Sequence, residues 1–184
     1  MDLKEYLNQE QILKNIKRFA RVKVIRTQNL CEHGYGVGTL FYLLCKEARV
    51  TITGEELFRI MNHDFLETYT GDIDRRVKEK TEETSLAWEA IERATVPRHL
   101  YCFTDKYLKE EFLTEEKFLL FQLADDLEGF MFCKEEVLSG NRTIRPSLER
   151  YRENVKERLR ALSSTNIEFT GIWDSIGLEM EGIC

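Results

Sequence analysis

Apolar residues in this chain recur mostly at three- and four-residue steps, the period of an amphipathic helix. Leu3, Tyr6, Leu7, Leu13, Ile16 and Phe19 lay out a first helix over 3–19. Val37, Leu40, Phe41, Leu44 and Cys45 share one face of a second, over 32–48. Thr53-Gly54-Glu55-Glu56 has the form of a capping box, with a hydroxyl at the N-cap and a carboxylate three residues on. It opens a third helix that runs toward Asp64. A fourth covers 76–94 and stops near Pro97. The segment 114–138 is apolar on most sides (Phe118, Leu120, Phe121, Leu127, Phe130, Phe132), which marks a central, buried helix. Ser147 begins a charged helix to Leu162, and 166–182 carries a weaker helical pattern. Val22–Ile25 is the one strand-like stretch, too little for a sheet-based domain. The pattern predicts an all-α fold of seven or so helices around 114–138, forming a single domain over 1–184.

Composition narrows the function classes. The chain has 184 residues, 42% hydrophobic and 33% charged, enough for one domain with a real core. Its net charge of −6 and pI of about 5.3 disfavour a strongly basic nucleic-acid-binding module. Only 2 prolines and 10 glycines punctuate it, against a many-turned β fold. No apolar run reaches membrane-spanning length, and the charged start lacks a secretory pattern. The 5 cysteines are scattered, with no C-x-x-C pair. Reduced thiols and a cytoplasmic location are expected, with no membrane and no nucleic-acid polymer as partner.

The chemistry gathers around His63-Asp64. A bare His-Asp pair is more often a capped helix end than a site. Here Glu67 follows within one helical turn of both, and Thr70-Gly71-Asp72 makes a tight turn with another acid. His33 stands 30 residues earlier, at the start of a helix. Asp125 lies inside the most apolar helix, where a carboxylate is costly unless paired or bound to a cation. His33, His63, Asp64 and Asp125 could hold one divalent metal. A salt bridge from Asp125 to an arginine, or burial of Asp126 in its place, explains the acid equally well. The glycine-rich His33-Gly34-Tyr35-Gly36-Val37-Gly38 has no leading strand and no lysine after it, so it is not a P-loop. Close helix packing or close approach of a nucleobase would account for these glycines. Trp88 and Trp173 read as core or interface, His99 as a structural histidine, and the stripe Arg150, Arg152, Lys156, Arg158, Arg160 as a solvated face.

Four stretches taken together resemble the HD-domain phosphohydrolases. They are Arg18-Phe19, Arg26 through His33, His63-Asp64-Phe65-Leu66-Glu67-Thr68-Tyr69-Thr70-Gly71-Asp72-Ile73, and Ala124-Asp125 followed by Lys134-Glu135-Glu136 and Gly140-Asn141. The resemblance is to bacterial HD-domain 5′-deoxynucleotidases and phage-encoded HD-domain dATP triphosphohydrolases, and covers about 15–141. It implies an HD-domain helical bundle and metal-dependent hydrolysis of deoxynucleotides. His33, His63, Asp64 and Asp125 then fall on metal-ligand positions, and Glu67 and Asp72 on the catalytic acids beside them. Arg18 falls on a phosphate-binding position. Phe19 stands where those nucleotidases carry a tryptophan against the deoxyribose. Metal identity is open among Co²⁺, Mn²⁺, Zn²⁺, Fe²⁺ and Mg²⁺. A homo-oligomer is also implied.

Asp74-Arg75-Arg76-Val77-Lys78-Glu79-Lys80 bears on the substrate. Arg75, Arg76 and Lys78 add positive charge beside the site, which a triphosphate would use, with an additional Mg²⁺. The same residues read as a solvated first helical turn with pairs to Glu79 and Glu82 or Glu83. The expectation leans to a dNTP triphosphohydrolase releasing deoxynucleoside and triphosphate. A 5′-deoxynucleotidase acting on dNMPs is the alternative, and a non-catalytic nucleotide-binding HD domain is a more distant one.

Overall fold

The structure, a computed structural model, describes residues 2–73, 75–78, 80–165 and 167. It is all-α in the described residues. In chain order these hold α1 (Leu3–Leu13), α2 (Leu30–Glu47), α3 (Gly54–Met61), a 3₁₀ turn (His63–Leu66), α4 (Glu67–Thr70), α5 (Arg75–Lys78) and α6 (Glu82–Thr95). A 3₁₀ segment (Arg98–Phe103) and α7 (Asp105–Tyr107) follow, then a π turn (Leu108–Phe112), α8 (Glu115–Leu138), a 3₁₀ turn (Arg142–Ile144) and α9 (Arg145–Ser164). The 166–182 pattern, with Trp173, lies outside the described residues except at Ile167. No helix among the described residues is long and apolar enough to cross a membrane.

The central helix is α8, which packs on α2 and α9. Thr114 caps it, accepting from the Lys117 amide. Leu120, Phe121, Leu123 and Ala124 are fully buried or nearly so against Val37, Phe41 and Leu44 of α2 and Val155 and Leu162 of α9. Burying each large apolar side chain contributes about 1.5–3 kcal/mol. α2 and α3 lie close because the glycines of α2 let them. A Cβ on Gly34 would fall 2.2 Å from the Met61 carbonyl oxygen, so packing accounts for that glycine.

Several boundaries differ from the periodic pattern, each for a local reason. α1 stops at Leu13 instead of running to 19. Beyond it the Arg18 amide donates to the Gln28 carbonyl, the Leu30 amide donates to the Ile16 carbonyl, and Phe19 takes a φ of 57° that no α-helix permits. Arg18-Phe19 therefore sits on a loop. Val22–Ile25 forms no strand. The amides of Ile25 and Arg26 donate to the Glu136 carboxylate, both at 2.7 Å, and Val22 and Val24 pack on the Phe130, Phe132 and Ile144 cluster. α3 ends at Met61, short of Asp64. The 76–94 helix is two pieces, because Thr81 turns extended and caps α6 by accepting from the Thr84 amide.

Candidate active site

The donors converge where α2, the turn after α3, and α8 meet. Asn29 opens α2 with a capping box to Glu32, which fixes the backbone immediately before His33. The break of α3 at Asn62 tightens the chain into a 3₁₀ turn carrying His63 and Asp64. Asp125 comes from the middle of α8. His33 Nε2 lies 3.2 Å from Asp125 Oδ1 and 3.6 Å from Asp64 Oδ2, and His63 Nε2 lies 3.3 Å from Asp64 Oδ1. One ligand atom from each of His33, His63 and Asp64 fits within 4.8 Å. His63 Nδ1 sits 2.8 Å from the Ile60 carbonyl, so it donates there and leaves Nε2 for the site. The Phe121 ring meets His63 edge-on. Two imidazoles and one carboxylate, from α2 and the turn after α3, form a group that could hold a divalent transition ion, and Asp125 of α8 adjoins it through its 3.2 Å approach to His33.

The charges are strongly coupled. Burial raises the Asp64 carboxyl, but His63, His33 and Arg18 outweigh it and hold the group below the usual range. Asp125 is likewise held far below, with the His33 hydrogen bond leading the opposition to burial. Burial and the Arg18 charge depress His33, yet hydrogen bonds to Asp125 and Glu128 win and lift it to about 9. A metal held by His33 would therefore compete with a proton for the same nitrogen.

The α8 acids divide between two tasks. Asp126 is the one shut away, 3% exposed, and it accepts from Asn154 at 2.7 Å and Arg158 at 3.3 Å. Arg158 is thus no part of a solvated stripe; it ties α9 to α8. Asp125 instead opens to the site. A third acid, Glu128, was not singled out by the sequence pattern. Its spacing three residues after Asp125 in an apolar helix is the signal that places it on the same face. Its Oε2 lies 2.6 Å from His33 Nδ1 and 2.9 Å from Arg18 Nη1.

His33, His63, Asp64 and Asp125 line one wall of an open cavity of roughly 1220 Å³. Arg18, Phe19, Glu67, Asp72 and Lys78 all border it. Glu67 Oε1 accepts from Lys78 Nζ at 3.3 Å, while Oε2 is buried with no hydrogen-bond partner among the described residues. Burial, with Asp64 adding to it, pushes the Glu67 carboxyl well above its ordinary value. Burial also raises Asp72, against the pull of Arg18. Phe19 stacks on Phe132 at 4.9 Å and meets Tyr151 edge-on. The side chains of Arg75 and Arg76 lie outside the described residues. Trp88, read as core or interface, instead borders the cavity, with Lys78 Nζ 5.0 Å from its ring centre and its indole N–H donating to Glu92. No pattern in the sequence of α6 marks that position. His99 hydrogen-bonds Glu5 away from the site.

A sequence profile of the YfbR-like 5′-deoxynucleotidases matches residues 5–170. The chain belongs to that family. It is an HD-domain deoxynucleotide phosphohydrolase. Among curated relatives, a 5′-deoxynucleotidase of Cronobacter sakazakii is 27% identical over 79% of each chain. The 5′-deoxynucleotidase YfbR of Escherichia coli O1:K1 is 27% identical over 70% of this chain and 71% of its own. Among solved structures, a Pyrococcus horikoshii protein aligns over 88% of this chain and 97% of its own, at 21% identity and a TM-score of 0.66. The cyanophage S-2L HD phosphohydrolase DatZ, bound to dA and one catalytic Zn²⁺, aligns over 85% and 96%, at 18% identity and a TM-score of 0.57. At these identities the structural matches speak for the fold.

Proposed function

We propose that this protein is a metal-dependent 5′-deoxynucleotidase, releasing deoxynucleoside and orthophosphate from dNMPs. The observation that carries the reading is the convergence of His33, His63, Asp64 and Asp125 beside Arg18, inside a cavity that admits a nucleotide. The names of the curated relatives favour monophosphates over the triphosphates toward which the basic run 75–80 leans. Lys78 points the same way, because its ammonium is directed at Glu67 beside the donors and not along a longer phosphate track. The additional Mg²⁺ belongs to the triphosphate reading and drops out with it.

A divalent ion on the four donors supplies Lewis acidity toward water and a phosphoryl oxygen, and draws nearby carboxyls toward their ionised forms. The bound zinc of the cyanophage relative supports a transition ion at these positions. Arg18 binds the phosphate, meeting charge that builds on its oxygens. Glu67 Oε2, the oxygen without a partner among the described residues, orients the attacking water and takes its proton. Lys78 fixes the other oxygen of the same carboxylate. Asp72, raised by burial, gives its proton to the 5′-oxygen as the P–O bond breaks. Phe19 and the Phe132 ring behind it wall the sugar side. A cytoplasmic, homo-oligomeric enzyme fits this substrate and family.

Product chromatography after incubation with dNMPs, dNTPs and ATP tests the reading. Deoxynucleoside and orthophosphate from dNMPs alone is the expected result. Deoxynucleoside with triphosphate from dNTPs would reinstate the other substrate class.

A further inference from the structure

Glu128 joins a candidate ligand, His33, to the phosphate-binding Arg18, and the hydrolytic step above gives it no role. It is 9% exposed. Oε1 accepts from Gln28 Nε2, and Oε2 faces both His33 Nδ1, at 2.6 Å, and Arg18 Nη1, at 2.9 Å. Arg18 Nη1 itself stands 2.6 Å from His33 Nδ1. The imidazole edge remote from the donors therefore has two competing neighbours, an acceptor and a donor.

The two neighbours call for opposite tautomers. If Nδ1 accepts from Arg18, the ring proton of neutral His33 sits on Nε2, and Nε2 has no lone pair for a metal. If Nδ1–H donates to Glu128, Nε2 is free to ligate. The Glu128 carboxylate decides between them. It accepts from Nδ1–H and also from Arg18, which turns the guanidinium from a rival for the ring nitrogen into a partner of the same oxygen. It thereby places the phosphate-binding cation at a fixed offset from a ligand.

We propose that Glu128 is a positioning residue that sets the ligating tautomer of His33 and locks Arg18 to the same carboxylate, coupling metal uptake to phosphate binding. This rests on the metal-dependent reading above. A second feature of the sequence fits it. Gly36 of α2 faces the Glu128 stem, and a Cβ there would fall 2.9 Å from Glu128 Cγ. A carboxylate held by Gln28, Arg18 and His33 cannot step aside freely, so glycine at 36 is what lets Glu128 reach over α2.

The test uses two variants of the full chain, Glu128→Gln and Gly36→Ala. The first keeps shape and removes charge; the second keeps the charge and displaces its stem. Each is titrated with Co²⁺, read by its visible absorption, and separately with orthophosphate on the Co²⁺-saturated protein, with Tm measured alongside. Loss of a partner that orients a ligand weakens metal binding by about 10–100-fold. Both variants are expected to lose Co²⁺ affinity on that scale and to bind orthophosphate at least several-fold more weakly, whatever the change in Tm. Native Co²⁺ and phosphate affinities in folded Glu128→Gln overturn the proposal, as does a lowered Tm with both affinities intact. Should Glu128→Gln fail to fold, native affinities in Gly36→Ala overturn it. Failure of the wild-type protein to bind Co²⁺ overturns the metal reading itself, and this proposal with it.

Discussion

Gly34→Ala tests the link between helix packing and the site. In an unobstructed helix, alanine is more stable than glycine by about 1 kcal/mol. Here its Cβ would fall 2.2 Å from the Met61 carbonyl oxygen, whereas ordinary contact begins near 3.4 Å. α2 and the end of α3 must therefore part by about 1 Å. Overpacking costs about 1–3 kcal/mol, and an obstacle made of backbone puts this case at the upper end. The net loss is about 1–2 kcal/mol, or a Tm lower by about 2–8 °C for a chain of this size. Gly34 follows His33 directly and Met61 precedes His63 by two residues, so the displacement separates two candidate ligands. Sites tolerate about 0.5 Å of error, so Co²⁺ affinity falls on the order of tenfold. Gly54→Ala is the control: nothing lies within 4 Å of a Cβ there, and Tm stays level or rises slightly. Calorimetry and Co²⁺ titration read both effects. A Gly34→Ala protein with undiminished Tm and native Co²⁺ affinity would refute the close approach of these elements and its bearing on the ligands.

Glu67→Gln lowers kcat by about 10²–10⁴-fold while leaving Co²⁺ binding within a few-fold of wild type, as steady-state assay and metal titration will show. Metal affinity rises with pH, because His33, lifted to about 9 in the metal-free protein, must lose its proton to ligate. The rise approaches tenfold per unit below that value and levels above it; a Co²⁺ affinity flat from pH 6.5 to 8.5 contradicts this. Glu56→Ala removes the α3 capping box and the 2.6 Å pair to Lys117, costing about 1–2 kcal/mol in a thermal melt. Burial raises Glu56 but Lys117 and Thr53 outweigh it, so its folded value lies below the usual 4.5. Its stabilisation is accordingly full above 4.5 and fades as pH falls through the folded value, a fade that the variant's acid unfolding curve should lack.

The helices with a sustained apolar period were legible in the sequence because tertiary packing uses the stripe that the period creates. α8 is the clearest case, found within a residue of its expected start. The errors lie where a side chain or amide has a better partner than the helix ladder. Thr81 caps and breaks one helix, Gln28 and Leu30 take over the chain after Leu13, and Glu136 claims the amides of a stretch that resembles a strand. Residue type and order pointed to His33, His63 and Asp64, which the structure gathers within 4.8 Å, and to Asp125, which it places 3.2 Å from His33. Trp88 was not readable, since its placement depends on which face of α6 meets the cavity; Glu128 carried a signal, its spacing three residues after Asp125, that the pattern of motifs did not use. Asp125 and Asp126 show the limit plainly: the sequence offers either as the buried acid, and the structure shuts Asp126 away against Asn154 and Arg158 while Asp125 faces His33 and the cavity.

The most direct test of the proposed centre counts metal and turnover together. The protein is stripped with a chelator, Co²⁺ is returned in steps, and bound ion per chain and phosphate release from a dNMP are measured on the same samples. If the four donors form the catalytic metal centre, activity rises linearly to a plateau at one ion per chain, and His63→Ala loses both the bound ion and the activity. Turnover that persists in the stripped protein, or in His63→Ala, would contradict it.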